Sequence, residues 1–215
     1  MVLTINYFIN LNMKGICFIE PLFYKIVDGS KTQTRRIISE KLGTYCSKCH
    51  KNYLVCECYF ENDNHANKCT KTITIENVKP RYKVGEVVYL KEPYYGINKV
   101  FWYKYDKDRE TAIANYLWKN KLFMPEMAAR HFIKITEVRA ERLQDISEVD
   151  CLKEGIWEAN NIGLDGISYW YPSCVNSQYK TPQDAYAALI DRINGKGTWE
   201  SNPFVWVYDF ELIKN

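Results

Sequence analysis

The run Lys31-Thr32-Gln33-Thr34-Arg35-Arg36 follows an apolar segment closed by Asp28-Gly29-Ser30 and crowds an amine, two hydroxyls and two guanidiniums into one short stretch. A guanidinium grips phosphate or carboxylate through a planar fork, so this set suits the handling of anions or nucleotides. The structural alternative is a solvated strand edge, where Lys and Arg discourage pairing with another chain.

A second group with chemistry in it is the cysteine cluster. Five of the eight cysteines, Cys46, Cys49, Cys56, Cys58 and Cys69, fall in one stretch that also holds His50 and His65. Cys46-x2-Cys49 and Cys56-x-Cys58 match the short spacings by which a loop wraps a tetrahedral zinc ion with thiolates. Cys46 and Cys49 form the first ligand pair; the second comes from Cys56, Cys58 and Cys69, with His50 or His65 as a substitute. A reduced cysteine loop without metal is the alternative, and disulfides are disfavoured because the opening residues show no basic n-region or cleavage site.

Charge and composition bound what these groups can serve. The 29 Lys and Arg against 26 Asp and Glu give a net charge of +3, too small by itself to imply nucleic-acid binding. Between Lys25 and Lys51, however, seven basic residues meet only Asp28 and Glu40, so a polyanion would meet that segment first. No apolar run approaches the roughly 20 residues needed to span a bilayer, and the expected location is the cytoplasm, with no membrane association.

The elements that must position these residues read as α+β, rich in strands. Gly15 to Glu20 is a strand, and Pro21 starts a helix with Leu22, Phe23, Ile26 and Val27 on its apolar face, ended by Gly29. The basic run then reads as a turn. Thr72 to Ile75, Val87 to Leu90, Val100 to Tyr105, Phe132 to about Leu143 and Pro203 to Leu212 read as strands. The region from Arg109 to Lys119 reads as helical, and Met124-Pro125 leads into a short helix through Arg130. Ser147 caps a short helix that brings up Glu154 before Gly155. Gly163 to Thr181 reads as a loop, and Pro182 to Asn194 as an amphipathic helix with Ala185, Leu189 and Ile193 inward. With no linker between halves, residues 1–215 form one domain, with a cysteine-rich insertion at 44–70 and an aromatic-rich loop at 157–181. The strands are expected to curl into a small barrel.

The ordered motifs Asp28 to Arg36, Val84 to Glu92, Phe123 to Arg130, Ile135 to Ile146, Glu154-Gly155-Ile156 and Asn202 to Val207 resemble the ASCH-domain proteins of the PUA-like superfamily. The chain is most similar to the larger ASCH proteins of phages and prophages. The resemblance implies a PUA-like β-barrel with flanking helices and a cleft for RNA or a nucleotide, DNA being a further possibility. A small ASCH enzyme hydrolyses N(4)-acetylcytidine with a Lys, a Thr and a Glu, and the matching positions are Lys31, Thr34 and Glu154. In that reading Lys31, its pKa lowered beside Arg35 and Arg36, takes the proton of the Thr34 hydroxyl. Glu154 then delivers a proton to the leaving amine. Binding alone is the other reading, with Lys31, Thr32, Arg35, Arg36, Glu92 and Trp170 as the nucleic-acid or nucleotide contacts. Trp157, Tyr169, Trp170 and Tyr171 could stack unpaired bases or serve as core residues. His131 reads as structural, and Cys151 as a small buried apolar residue with no adjacent His to make it a thiolate.

Overall fold

A computed structural model describes residues 13–38, 43–46, 70–73, 78–106, 117–160, 167–171 and 178–214. In chain order the strands are β1 (Gly15–Cys17), β2 (Gln33–Ile37), β3 (Gly43–Cys46), β4 (Thr70–Ile73), β5 (Val87–Lys91) and β6 (Tyr94–Ile97). They continue as β7 (Val100–Tyr103), β8 (Phe132–Arg142), β9 (Trp157–Asn160), β10 (Ile167–Trp170) and β11 (Phe204–Ile213). Three α-helices accompany them among the described residues: α1 (Glu20–Val27), α2 (Glu148–Lys153) and α3 (Pro182–Asn194). The α+β class expected from the sequence therefore holds.

Each helix has a local cause. Pro21 sits at the start of α1, Leu22, Phe23 and Ile26 are buried, and the chain turns out at Gly29 with φ of 84°. The Ser147 hydroxyl accepts the Asp150 N–H at 3.1 Å to cap α2, and Thr181 caps α3 through the Asp184 N–H at 3.1 Å. On α3 the buried face is Ala185, Tyr186, Leu189 and Ile190, whereas Ile193, expected inward, is exposed.

The sheet that organises the molecule has five strands in the order β1-β5-β8-β11-β2. β1 runs parallel to β5 and the other pairs are antiparallel. Among the described residues it stays open: β1 and β2 are edges, with no ladder joining them. The expected small barrel is not what the described strands form: the sheet is open at β1 and β2. The two edges nevertheless meet, because the Arg36 guanidinium donates to the Cys17 carbonyl at 2.7 Å. Val88, Leu90, Ile133, Ile135, Val205 and Val207 supply the sheet's share of the core, against Phe23 and Ile26 of α1 and Leu189 of α3.

Two expectations change with these elements. Thr34, Arg35 and Arg36 lie on strand β2 rather than on a turn, because Gln33 to Ile37 pairs with Val205 to Asp209 of β11. The stretch read as a loop before Pro182 contains β10, which pairs with β9 as a hairpin. Cys49, Cys56, Cys58 and Cys69, with His50 and His65, lie outside the described residues, as does most of the expected helix from Arg109. None of the helices among the described residues is long and apolar enough to cross a membrane.

Candidate functional site

Strand register places the key side chains before any contact is considered. Across the ladder from β2 to β11, Thr34 faces Tyr208 and Arg36 faces Trp206, so these four share one side of the sheet. Arg35 faces Val207, which in turn faces Arg139 of β8, on the other side. Glu141 of β8 and Asp150 of α2 meet Arg35 there, each at 3.1 Å. Arg139 pairs with Glu141, Asp150 and Asp209, completing a charge network under α2.

Lys31 and Glu154 come together from elements 123 positions apart. The Lys31 ammonium donates to Glu154 Oε2 at 2.6 Å and to the carbonyls of Gln33 and Glu154 at 2.7 Å each, which uses all three of its protons. Both side chains are buried, at 1% and 4% residue exposure. Burial pushes the Lys31 pKa down, Glu154 pulls it back up, and Arg36 and Arg35 add to the lowering. Arg35 also approaches Glu154, at 3.5 Å, and hydrogen-bonds the Gln33 side chain. For Arg35, burial works against the charge, but Glu154, Asp150 and Glu141 outweigh it and hold the guanidinium protonated.

Because β2 is an edge, residues from both of its sides line one chamber of about 240 Å3 between it and the end of β1. Lys31, Thr34, Arg35, Arg36, Glu154 and Tyr186 are in its walls, with Ile193 and Lys121 beside them. Tyr186 comes from α3 and is 1% exposed, yet its hydroxyl has no hydrogen-bond partner among the described residues. The Nε atoms of Arg35 and Arg36 are likewise buried and unpaired. A buried donor without a partner costs about 1–3 kcal/mol, and all three of these atoms are closed off from solvent.

A second, outer cleft of about 540 Å3 adjoins it and shares Cys17, Arg36 and Ile37. Its charged lining is Arg36, Lys79, Arg81 and Lys91, and no carboxylate lines it among the described residues. Tyr82, Trp206 and Tyr208 supply aromatic wall, with the indole N–H of Trp206 buried and unpaired. Lys91 reaches the cleft over Gly15, where an added Cβ would strike the Lys91 side chain and the Tyr89 ring.

The structure thus gathers Lys31, Thr34, Glu154, Arg35 and Arg36, and leaves the other expected residues elsewhere. Thr32 ties β2 to α2 through its N–H to the Lys153 carbonyl at 3.0 Å and lines neither hollow. Glu92 is fully buried in a two-point pair with Arg130 at 2.7 and 2.8 Å; burial raises its pKa and Arg130 opposes that. It belongs to a separate structural pair. Trp170 on β10 lines neither hollow, although its own indole N–H is buried and unpaired. His131 packs edge-on against Phe23, and burial pushes the Cys151 thiol up to about 12, far from a nucleophilic thiolate.

Sequence reasoning missed Tyr186, Lys79, Arg81, Lys91 and Trp206. Tyr186 stands beside Ala185 in the apolar stripe of α3 and carries no signal that separates it from core. The cations of the outer cleft are scattered along the chain and converge only through the strand order. Among the described residues no group of three or more Cys, His, Asp or Glu is placed to hold a metal, while all of the clustered cysteines except Cys46 lie outside them. Compared with protein-family models, with curated proteins and with solved structures, the chain matches none.

Proposed function

We propose that this chain is a nucleotide- or nucleic-acid-binding protein of the ASCH, PUA-like type, taking RNA or DNA in the cleft between β1 and β2. The observation that carries this reading is the outer cleft, where four cations and three aromatic rings converge with no carboxylate among the described lining residues. Fixed cations attract phosphate and release its counterions, and an aromatic ring face accepts an unpaired base, a part that falls to the half-buried Trp206 because Tyr82 and Tyr208 are buried against each other. Lys31 and Arg35 are committed to carboxylates, so phosphate contact falls to Arg36, Lys79, Arg81 and Lys91 rather than to the whole basic run. The near approach of β1 and β2 through Arg36 also suits a barrel closed by side chains in place of a ladder.

A second reading, hydrolysis of an acylated nucleoside such as N(4)-acetylcytidine, is favoured by one observation: Lys31, Thr34 and Glu154 line the same chamber. Burial pushes the Lys31 pKa down, and in this reading the reaction starts from Lys31 as an amine with the proton of the pair on the carboxyl group. The Thr34 oxygen would then bond to the acyl carbon while its proton passes to Lys31. The C–N bond breaks, Glu154 gives its proton to the leaving amine, and water later hydrolyses the acyl-Thr34 ester. Thr34→Ala would abolish that turnover.

The cysteine insertion is read as a structural zinc loop. The ladder from β3 to β4 sets Cys46 opposite Thr70 in register.

Binding is tested with a single-stranded RNA oligonucleotide and its DNA counterpart over a range of salt concentrations, with N(4)-acetylcytidine turnover assayed on the same preparation. Affinity should fall as salt rises, and Arg81→Ala and Lys91→Ala should each weaken binding and flatten the salt slope by about 1. Salt-independent binding, or slopes unchanged in both variants, would sink the phosphate assignment.

A further inference from the structure

We infer that the outer cleft takes a single strand longer than one nucleotide, and that Leu122 and Phe123 at its rim form an apolar ledge on which a second, unpaired base stacks. This rests on the nucleic-acid reading above and goes beyond it by naming the form of the ligand and a contact for its next base. Exposure, rigidity and place each point to it.

Phe123 is 78% exposed, the most exposed large apolar side chain among the described residues, and Leu122 beside it is 59% exposed. Both lie on the single turn Lys121–Phe123. Met127, on the next turn at Glu126–Ala128, is also open to solvent. The core role of this segment is filled by Met124, which is 1% exposed and packs with Tyr94 and Ala128. Leu122 and Phe123 are therefore left outside for some other use.

The turn that presents them is braced from the strands beneath. Three successive carbonyls each accept a side-chain donor: Leu122 from the Lys91 ammonium at 2.9 Å, Phe123 from the Tyr94 hydroxyl at 3.3 Å, and Met124 from the Tyr89 hydroxyl at 3.0 Å. The Asn120 side chain accepts the Leu122 N–H at 2.9 Å, and the Lys121 ammonium donates to the Phe18 carbonyl. An apolar surface on a backbone already fixed binds without the cost of ordering a loop.

Place decides the occupant. Leu122 lines the outer cleft, and so does Lys91, the residue that braces its carbonyl. A strand whose phosphate meets Lys91 has its next base beside the ledge. Any base can stack on an aromatic ring, whereas a duplex must first be unstacked to use an apolar wedge, so the ledge favours a single strand. The carboxylate carried by these two turns, Glu126, accepts the Met13 N–H at 3.2 Å. A protein partner fits less well: Leu122, Phe123 and Met127 fall short of the roughly 800 Å2 that each side of a standard interface buries, and the cleft beside them is cationic.

The experiment is fluorescence anisotropy of the wild type, Phe123→Ala and Phe123→Trp with a labelled hexauridylate strand, its abasic counterpart of the same length, and an RNA duplex of that length. The wild type should bind the strand more tightly than the other two probes. Phe123→Ala should weaken the strand about tenfold, the size of one stacked base, and leave the abasic probe and the salt slope unchanged, while Phe123→Trp retains the wild-type affinity. Unchanged strand affinity in Phe123→Ala, or a duplex or abasic probe bound as tightly as the strand, overturns this inference while the phosphate site stands. Failure of every probe overturns the nucleic-acid reading and this one together. Light scattering that shows a wild-type dimer lost in Phe123→Ala assigns the ledge to a second copy and overturns the inference as well. So does a lowered melting temperature in Phe123→Ala, which would show the ring to be packed.

Discussion

Lys31 gives all three ammonium protons to Glu154 and to two main-chain carbonyls, so its charge is spent inside the fold rather than on solvent. Breaking a buried pair by removing one partner strands the other charge, at a cost of about 3–5 kcal/mol. Glu154→Ala should therefore shift the urea midpoint strongly downward, and the double change Lys31→Met, Glu154→Leu should recover most of the loss. A single variant as stable as the wild type would show that the pair contributes nothing to the fold. Lys31, Thr34 and Glu154 could be picked out in the sequence because their spacing resembles a known motif. Tyr186 could not, because a tyrosine in an apolar helical stripe looks the same whether its hydroxyl is idle or engaged.

At the scale of elements, the short helix α2 carries Asp150 and ends on Glu154, so whatever fixes its last turn fixes the site. Gly155 does this with φ of 100°, and a Cβ there would press on Leu22 Cδ2 at 3.1 Å. Gly29, at φ of 84°, has open space around it. Gly29→Ala should cost only the left-handed backbone strain, about 1–2 kcal/mol, and Gly155→Ala more, with weakened ligand binding. Thermal melts of the two variants rank them, and equal losses would remove the packing argument. Caps and stops of this kind are local, which is why the three helices were legible from Pro21, Ser147 and Pro182 with their closing residues. β2 was not, because Gln33-Thr34-Arg35-Arg36-Ile37 lacks the apolar alternation of a half-buried strand: its buried face is filled by ion pairs instead.

For the whole molecule, the α+β class followed from counting strands, but their order did not, since β1 pairs with β5 and β2 with β11 over long separations. The cations of the outer cleft are products of that order and were invisible before it. The cysteine insertion gathers five of the eight cysteines, and metal is expected to organise it. One zinc per chain should be found by elemental analysis of protein purified under reducing conditions. Chelation should speed amide exchange in residues 44 to 70 more than in the five-stranded sheet. Protein free of metal after such purification would exclude the zinc loop.

The contact from Arg36 to the Cys17 carbonyl has a mechanical meaning. A ladder resists peeling because its bonds share the load, whereas the β1–β2 seam, among the described residues, has side-chain contacts in its place: Arg36 on the Cys17 carbonyl, and Arg36 and Lys31 over the Phe18 ring. Arg36 thus has two employments at one place, holding the β1 edge and lining the outer cleft. An anion arriving at the outer cleft would then compete with the Cys17 carbonyl for the Arg36 guanidinium.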